Sequence, residues 1–125
     1  MENILVIEDD DLMRKVLERI LRSQGYQVQT AFDGRDALKK IGGSVTPYDL
    51  IITEPLRPDT DDFAAVGKAK NIGRPAAVMV ISNRVDADTT ESGSKLGASE
   101  YMQKPVMPRE FLSAVKRALS TRTAA

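Results

Sequence analysis

The sequence predicts a single α/β domain, residues 1–125, in which helices cover both faces of a parallel sheet. The first observation is that short apolar runs alternate with helical patterns five times along the chain. The second is that the connections between them are short, with no internal repeat or linker. A helix between two strands returns the chain to the same end of the sheet, so the alternation favours parallel pairing.

Composition excludes several classes of protein. Lys+Arg and Asp+Glu both number 18, so a nucleic-acid-binding protein that depends on a basic surplus is not expected. The chain has no cysteine and no histidine, which removes disulfides, thiolate chemistry and the commonest general base. The longest apolar run, residues 76–81, is too short to cross a bilayer, and no signal peptide pattern precedes residue 4. We therefore expect a cytoplasmic protein without a membrane segment.

The first half of the chain predicts three strands and two helices. Residues 4–7 form a β-branched apolar run that fits a strand buried on both faces. Four acidic residues, 8–11, then precede a helix with apolar residues at helical spacing, which Gly25 closes. Residues 26–31 alternate as an edge strand does, Asp33 caps a second helix, and residues 50–52 form a buried strand.

The second half continues the same alternation. Residues 61–71 predict a third helix, and residues 76–81 predict a fourth strand that ends at Ser82. Residues 86–97 predict a poor fourth helix, because Thr, Ser and Gly dominate it and Leu96 is nearly its only large apolar anchor. Residues 100–103 form a short last strand, and Pro108 opens a final helix.

Polar side chains are predicted to meet at one edge of this sheet. In parallel sheets the ligand site lies beyond the carboxyl ends of the strands. The residues at those ends are Glu8, Asp9, Glu54, Ser82 and Lys104. Carboxylates this close raise the pKa of at least one member unless a cation is present. A purely structural alternative is that the acidic residues only cap the first helix.

The order and spacing of five motifs resemble the receiver domain of two-component response regulators. The resemblance covers essentially all 125 residues. The motifs are the acidic pair Glu8 and Asp9 after ILVI, the strand YDLIIT before Glu54, the hydroxyl of Ser82 after VMVI, a switch aromatic at Tyr101, and Lys104 followed by Pro105. Tyr101 has the alternative of being an ordinary strand residue.

The resemblance implies a flavodoxin-like three-layer sandwich of five β–α units, with strand order 2-1-3-4-5. It also implies that the acidic pair, residue 54 and a backbone carbonyl, here that of Leu56, hold Mg²⁺. In the family an aspartate takes a phosphoryl group from a sensor histidine kinase, and a hydroxyl, here that of Ser82, donates to the new phosphate. A metal and a lysine neutralise the charge during transfer. Partners, including an output domain or a second copy, are expected on the fourth helix, last strand and last helix.

Glutamate stands at position 54, where the family has the phosphoacceptor aspartate. The extra methylene moves the carboxylate about 1.5 Å further out, one C–C bond length. Misplacement of about 1 Å can cost a positioning reaction on the order of 100-fold. Arg57 and Asp62 also depart from the family, which prefers an apolar residue and glycine there. These changes put both phosphorylation and Mg²⁺ binding in question.

Three interpretations of Glu54 remain open. In the first, the domain is a pseudo-receiver in which Glu54 reaches Lys104 or Ser82 and biases the domain towards its active state. In the second, phosphoryl chemistry or metal binding survives at Glu54 or at a neighbour such as Thr53. In the third, Glu54 is an engineered or incidental change in an ordinary receiver.

Functions of other classes compete with a non-enzymatic signalling role. A Mg²⁺-dependent phosphotransferase or phosphatase would use Asp9 as its nucleophile and Asp11 as a second acid, at D-x-D spacing after the first strand. The chain has little room for the substrate-binding insertion of such enzymes. A flavin-binding protein is disfavoured because no Ser/Thr-rich phosphate loop follows the first strand. Signalling by protein–protein contact is the leading hypothesis.

Overall fold

The computed structural model describes residues 2–42, 47–54, 61–72 and 75–121, apart from the side chain of Asp62. Within these ranges five strands alternate with five helices. They are β1 (Asn3–Ile7), α1 (Asp11–Ser23), β2 (Gln27–Ala31), α2 (Gly34–Ile41), β3 (Leu50–Thr53), α3 (Asp61–Lys70), β4 (Ala77–Ser82), α4 (Ala87–Lys95), β5 (Glu100–Gln103) and α5 (Pro108–Ser120). Their ends differ from the predicted ends by only one or two residues.

The five strands form one sheet in which every pairing is parallel. The order is β2-β1-β3-β4-β5, which confirms the flavodoxin-like order implied by the resemblance. Alternate residues of β1 supply the two layers of core. Ile4 and Val6 pack in the cluster with residues of α1 and α5, and Leu5 and Ile7 pack with those of α2 and α3. The sheet is therefore covered on both faces, as a continuous apolar strand requires.

Aspartate caps begin three of the helices. The Oδ1 of Asp10 accepts a hydrogen bond from Met13 N at 2.9 Å, and Asp33 and Asp86 cap α2 and α4 in the same way. Such a cap satisfies a backbone N–H that has no partner inside the helix. Pro108 starts α5, where its missing N–H costs nothing.

The helices are amphipathic rather than apolar all round. On α1, Leu17 and Leu21 are buried, whereas Leu12 and Val16 are exposed. All four share the predicted helical spacing, but Leu12 and Val16 lie at the flank of the apolar stripe. Nowhere in the described ranges is a helix both long enough and apolar enough to span a bilayer.

Helix α4 is anchored only weakly to the sheet, as its sequence predicts. Only two of its own residues, Thr89 and Gly93, are buried, and both are small. Leu96, which follows the helix, adds one large buried side chain. Little apolar area is therefore removed from water when α4 packs, so contacts from neighbouring elements matter more for its position.

Candidate functional site

The side chains predicted to form a site meet at the carboxyl ends of the strands. Glu8 follows β1, Glu54 follows β3, Ser82 ends β4 and Lys104 follows β5. Strands β1, β3, β4 and β5 are successive neighbours in a parallel sheet, so their ends lie side by side. Asp9 follows Glu8 directly and lies exposed at the rim.

Lys104 forms ion pairs with two carboxylates. Its Nζ lies 2.7 Å from the Oε1 of Glu54 and 3.1 Å from the Oε1 of Glu8. Only 2% of the Glu8 side chain and 15% of the Lys104 side chain are exposed, whereas 33% of the Glu54 side chain is. A buried carboxylate needs a paired charge or hydrogen bonds, and Lys104 provides that charge for Glu8.

The pKa of Lys104 is raised above its ordinary value of 10.5. Burial by itself would lower this pKa, but the hydrogen bonds and charges of Glu54 and Glu8 outweigh burial. Because the pKa of Lys104 is higher in the folded than in the unfolded state, the stabilisation of the fold by the charged lysine is complete below the unfolded pKa of about 10.4. It is lost only as the pH rises through the raised folded value, so Lys104 is charged throughout the neutral range.

Glu8 is held in place by the start of α1 as well as by Lys104. Its Oε2 accepts a hydrogen bond from Asp10 N at 3.0 Å, and its backbone carbonyl accepts one from Arg14 Nη1 at 3.0 Å. Its own N–H donates to the carbonyl of Ala31 at the end of β2. Glu8 is thus positioned by three elements, and one carboxylate oxygen remains directed at the lysine.

Three carboxylates are close enough to share a metal ion. Glu8, Asp9 and Glu54 each offer an oxygen, and these oxygens lie within 4.8 Å of one another. Opposite ligands of an octahedral Mg²⁺ ion are about 4.2 Å apart, so donor type and spacing fit this ion. Two of the three carboxylates are also paired with Lys104, which means that an ion would compete with the ammonium group. The predicted carbonyl ligand, that of Leu56, lies outside the described residues.

Ser82 lies beside this cluster, at an open cleft of about 320 Å³ that Glu54 also lines. Its Oγ accepts a hydrogen bond from Arg84 N at 3.2 Å, and its carbonyl accepts one from Lys104 N at 2.8 Å. Ser82 is half-buried. The other residues that line the cleft are Asn83, Arg84, Asp86, Asp88 and Thr89.

Tyr101 points towards α4. Its hydroxyl donates to the carbonyl of Thr90 at 3.2 Å, and its ring lies against the backbone of Gly93. Tyr101 thus connects β5 to the helix that follows β4. Its role as a switch aromatic stays a prediction.

Sequence reasoning missed the part played by Thr89. This buried residue donates from its hydroxyl to the carbonyl of Arg84 at 2.9 Å and to the carboxylate of Asp86 at 3.0 Å. The spacing of Asp86 and Thr89, three residues apart at a helix start, is a capping signal that the sequence does carry.

The two acids of the rival D-x-D arrangement have different surroundings. Asp9 lies in the carboxylate cluster. Asp11 is exposed in the first turn of α1, where its carboxylate accepts a hydrogen bond from Arg14. Asp11 thus makes its contact within α1. The sequence departures at Arg57 and in the side chain of Asp62 lie outside the described residues.

Comparisons with known proteins agree on one family. Residues 4–116 match the response regulator receiver domain. The chain is 34% identical over 116 residues, 93% of its length, to the uncharacterized transcriptional regulatory protein YbdJ of Bacillus subtilis. It is 33% identical over 121 residues, 97% of its length, to the transcriptional regulatory protein PrrA of Mycobacterium leprae. It covers 50% and 51% of these two relatives, so it spans about half of their length.

A solved structure supports the same conclusion at the level of the fold. The chemotaxis protein CheY4 of Vibrio cholerae superposes with a TM-score of 0.76 at 25% identity, over 94% of this chain and 98% of that one. The strand order and the match over residues 4–116 both agree with this comparison. The chain belongs to the response regulator receiver domain family, whose members act in two-component signalling.

Proposed function

We propose that this chain is a pseudo-receiver, a signalling domain that is not phosphorylated at position 54 and is biased towards the active state. The observation that carries the proposal is the 2.7 Å contact between Lys104 Nζ and Glu54 Oε1. In the family the lysine neutralises charge that phosphorylation adds at the acceptor. Here a permanent carboxylate already meets that lysine.

The charge on Glu54 substitutes for phosphoaspartate only in part. A phosphorylated side chain carries about −1.5 to −2 charges and three phosphate oxygens as acceptors, whereas a glutamate carries one charge and two oxygens. Glu54 extends further from the backbone than an aspartate and is still one-third exposed. We therefore expect a shift of the equilibrium towards the active arrangement and not a complete conversion.

The same contact disfavours transfer of a phosphoryl group to Glu54. In-line transfer depends on positioning, and an attacking oxygen displaced by about 1 Å can lose on the order of 100-fold in rate. One Glu54 oxygen is also engaged by Lys104. A bound Mg²⁺ ion would supply charge neutralisation through Glu8, Asp9 and Glu54, but the ammonium of Lys104 is already paired with two of these groups and offsets one of their charges. Metal binding is accordingly expected to be weak.

The partner is proposed to be a sensor histidine kinase or another signalling protein in the cytoplasm, contacted through α4, β5 and α5. Support comes from the shallow anchorage of α4, since elements that switch belong to the less stable part of a fold. Further support comes from the two curated relatives, which are named as transcriptional regulatory proteins and are about twice as long. An output domain or a homodimer contact on the same face fits both observations.

Intact-mass measurement after incubation with Mg²⁺ and acetyl phosphate tests the silenced site. The wild-type protein is compared with Glu54→Asp, which restores the shorter side chain, and with Glu54→Gln, which offers no carboxylate. We expect a phosphoryl adduct on the aspartate variant alone. An adduct on the wild-type protein that disappears in Glu54→Gln would overturn the proposal.

A second experiment tests the bias towards the active state. Amide chemical shifts of β4, α4 and β5 are compared among Glu54→Gln, the wild-type protein and Glu54→Asp with beryllofluoride, an analogue of the phosphoryl group. A wild-type protein with a partial bias gives shifts on the line between the other two. Wild-type shifts that coincide with those of Glu54→Gln would show that the carboxylate has no such effect.

A further inference from the structure

Gly93 leaves a space in α4 that the ring of Tyr101 fills. A Cβ atom placed on Gly93 would lie 2.5 Å from the Oη, 2.6 Å from the Cε2 and 2.8 Å from the Cζ of Tyr101. Real Cβ atoms essentially never come within 3.0 Å of another heavy atom. The observed position of the ring is therefore incompatible with any side chain at residue 93.

The hydroxyl of Tyr101 adds a polar contact to this packing. It donates to the carbonyl of Thr90, one turn before Gly93, at 3.2 Å. Gly93 lies in the last turn of α4 and is buried, although most residues of this helix are exposed. The ring thus covers the glycine, and its hydroxyl reaches the helix backbone one turn before it.

Few other contacts fix α4 against the sheet. Besides Gly93, only Thr89 is buried within the helix, and Thr89 belongs to the capping network around Asp86. Glycine is also among the poorest helix formers, so Gly93 by itself weakens α4. The contact with Tyr101 requires glycine at residue 93, because a better helix former would place a side chain where the ring lies.

A second side chain contacts the C-terminal end of α4. The Nζ of Lys70, at the end of α3, donates to the carbonyl of Leu96 at 2.7 Å. A cation suits this position, because the last carbonyls of a helix carry partial negative charge. Gly97 beside it has a φ of 75°, and a Cβ there would collide with Lys70 Nζ. Polar groups from β5 and α3 therefore lie close to two glycines, Gly93 within α4 and Gly97 just after it.

We propose that Gly93 is a positioning residue, which forms a slot that holds the ring of Tyr101 against α4 and so fixes the helix. The slot, and not residue 54, sets the position of the ring. This inference stands apart from the proposed function, because it requires no property of Glu54. A partner that contacts α4 and β5 meets a helix whose position depends on whether Tyr101 occupies the slot.

The test compares Gly93→Ala with Gly67→Ala. Gly67 is a matched control because it also lies inside a helix, α3, and a Cβ there meets no atom within 4 Å. Two quantities are measured in the full chain: amide hydrogen exchange in α4 and the ¹⁹F spectrum of fluorotyrosine-labelled protein. The chain has three tyrosines, and the Tyr101 signal is assigned with Tyr101→Phe.

We expect Gly93→Ala to move the Tyr101 signal towards that of a solvent-exposed tyrosine and to speed exchange of α4 amides about tenfold, as for a locally opening segment. Helix propensity alone predicts the opposite sign, since alanine is the better helix former. Gly67→Ala should change neither quantity in α4. An unchanged Tyr101 signal in Gly93→Ala, with equal or slower exchange, overturns the proposal.

Two further variants keep the test decisive. In the background Tyr101→Ala, the added methyl group of Gly93→Ala has no ring to displace, so it should slow exchange in α4 instead of speeding it. If Gly93→Ala does not fold, this double variant must fold, and its failure to do so would overturn the proposal. Tyr101→Ala alone supplies the exchange rate of α4 against which the double variant is compared.

Discussion

The Nζ of Lys104 lies 2.7 Å from the Oε1 of Glu54, although the two residues are 50 positions apart in the chain. The contact joins the segment after β5 to the segment after β3. The same ammonium group lies 3.1 Å from the buried carboxylate of Glu8. One lysine therefore supplies the positive charge for two acids at the centre of the site.

Lys104→Met should destabilise the fold, because it leaves Glu8 buried without its cation. Removing one partner of a buried ion pair costs about 3 kcal/mol. The free energy of unfolding is measured by urea denaturation at pH 7. Lys116→Met, a change at an exposed lysine of α5, serves as the control and should cost less than about 0.5 kcal/mol. Equal urea midpoints for the two variants would show that Lys104 does not stabilise the fold.

Two leucines on α1 should respond very differently to truncation. Leu17→Ala opens a cavity in the core, where 1% of the residue is exposed, and should cost about 3 kcal/mol. Leu12→Ala removes a side chain that is 74% exposed and should cost less than about 0.5 kcal/mol. Urea denaturation of both variants compares the same chemical change on one helix. Similar losses for both would contradict the burial of Leu17.

The elements of this fold could be predicted because each has a local signal. The apolar run of residues 4–7 and the aspartate cap at Asp33 lie within a few residues of the structure they specify. The strand order has no such signal, since the spacing of strands along the chain does not determine which strands are neighbours. It followed only from the resemblance to receiver domains and is confirmed by the sheet.

The residues that form the site could be predicted from the sequence, but the contacts between them could be predicted only in part. Strand ends identified Glu8, Glu54 and Lys104, because parallel strands bring their carboxyl ends together. Whether Glu54 reaches Lys104 or Ser82 depends on side-chain rotamers, so the sequence left both open, and the structure pairs Glu54 with Lys104. The contact between Tyr101 and Gly93 joins two elements, and a local pattern indicates only that glycine weakens a helix.

The carboxyl group of Asp86 should titrate below its ordinary pKa of 3.8. The backbone N–H of Thr89 and then its hydroxyl donate to the ionised form, and these hydrogen bonds lower the pKa. Because the folded pKa lies below the unfolded value of about 3.9, the cap stabilises α4 fully above that pH. The stabilisation is lost as the pH falls through the folded pKa.

A ¹³C NMR titration of the Asp86 carboxyl group measures this midpoint directly. Thr89→Val removes the hydroxyl and keeps the backbone N–H, so the midpoint should rise part of the way towards 3.8. Thr90→Val is the matched control, because the hydroxyl of Thr90 donates to the backbone carbonyls of Asp86 and Ala87. A wild-type midpoint at or above 3.8 would be inconsistent with the capping geometry.

Removal of the ammonium group should strengthen Mg²⁺ binding at the carboxylate cluster. Lys104 competes with a metal for Glu8 and Glu54, and two unit charges about 4 Å apart interact by about 4 kcal/mol at an effective dielectric constant of 20. Solvent at the exposed edge reduces this figure, so we expect at least about a tenfold decrease in Kd for Lys104→Met. Isothermal titration calorimetry with MgCl₂ measures it, at a temperature where circular dichroism confirms that the variant is folded.

Two control variants show which groups are responsible for any gain in Mg²⁺ affinity. Lys116→Met removes the same charge from an exposed position on α5 and should leave the Kd nearly unchanged, because salt screens distant surface charges. Adding Asp9→Asn to Lys104→Met should reverse most of the gain if the three carboxylates hold the ion. Equal Kd values for the wild-type protein and Lys104→Met would mean that the ammonium group does not compete with Mg²⁺ for Glu8 and Glu54.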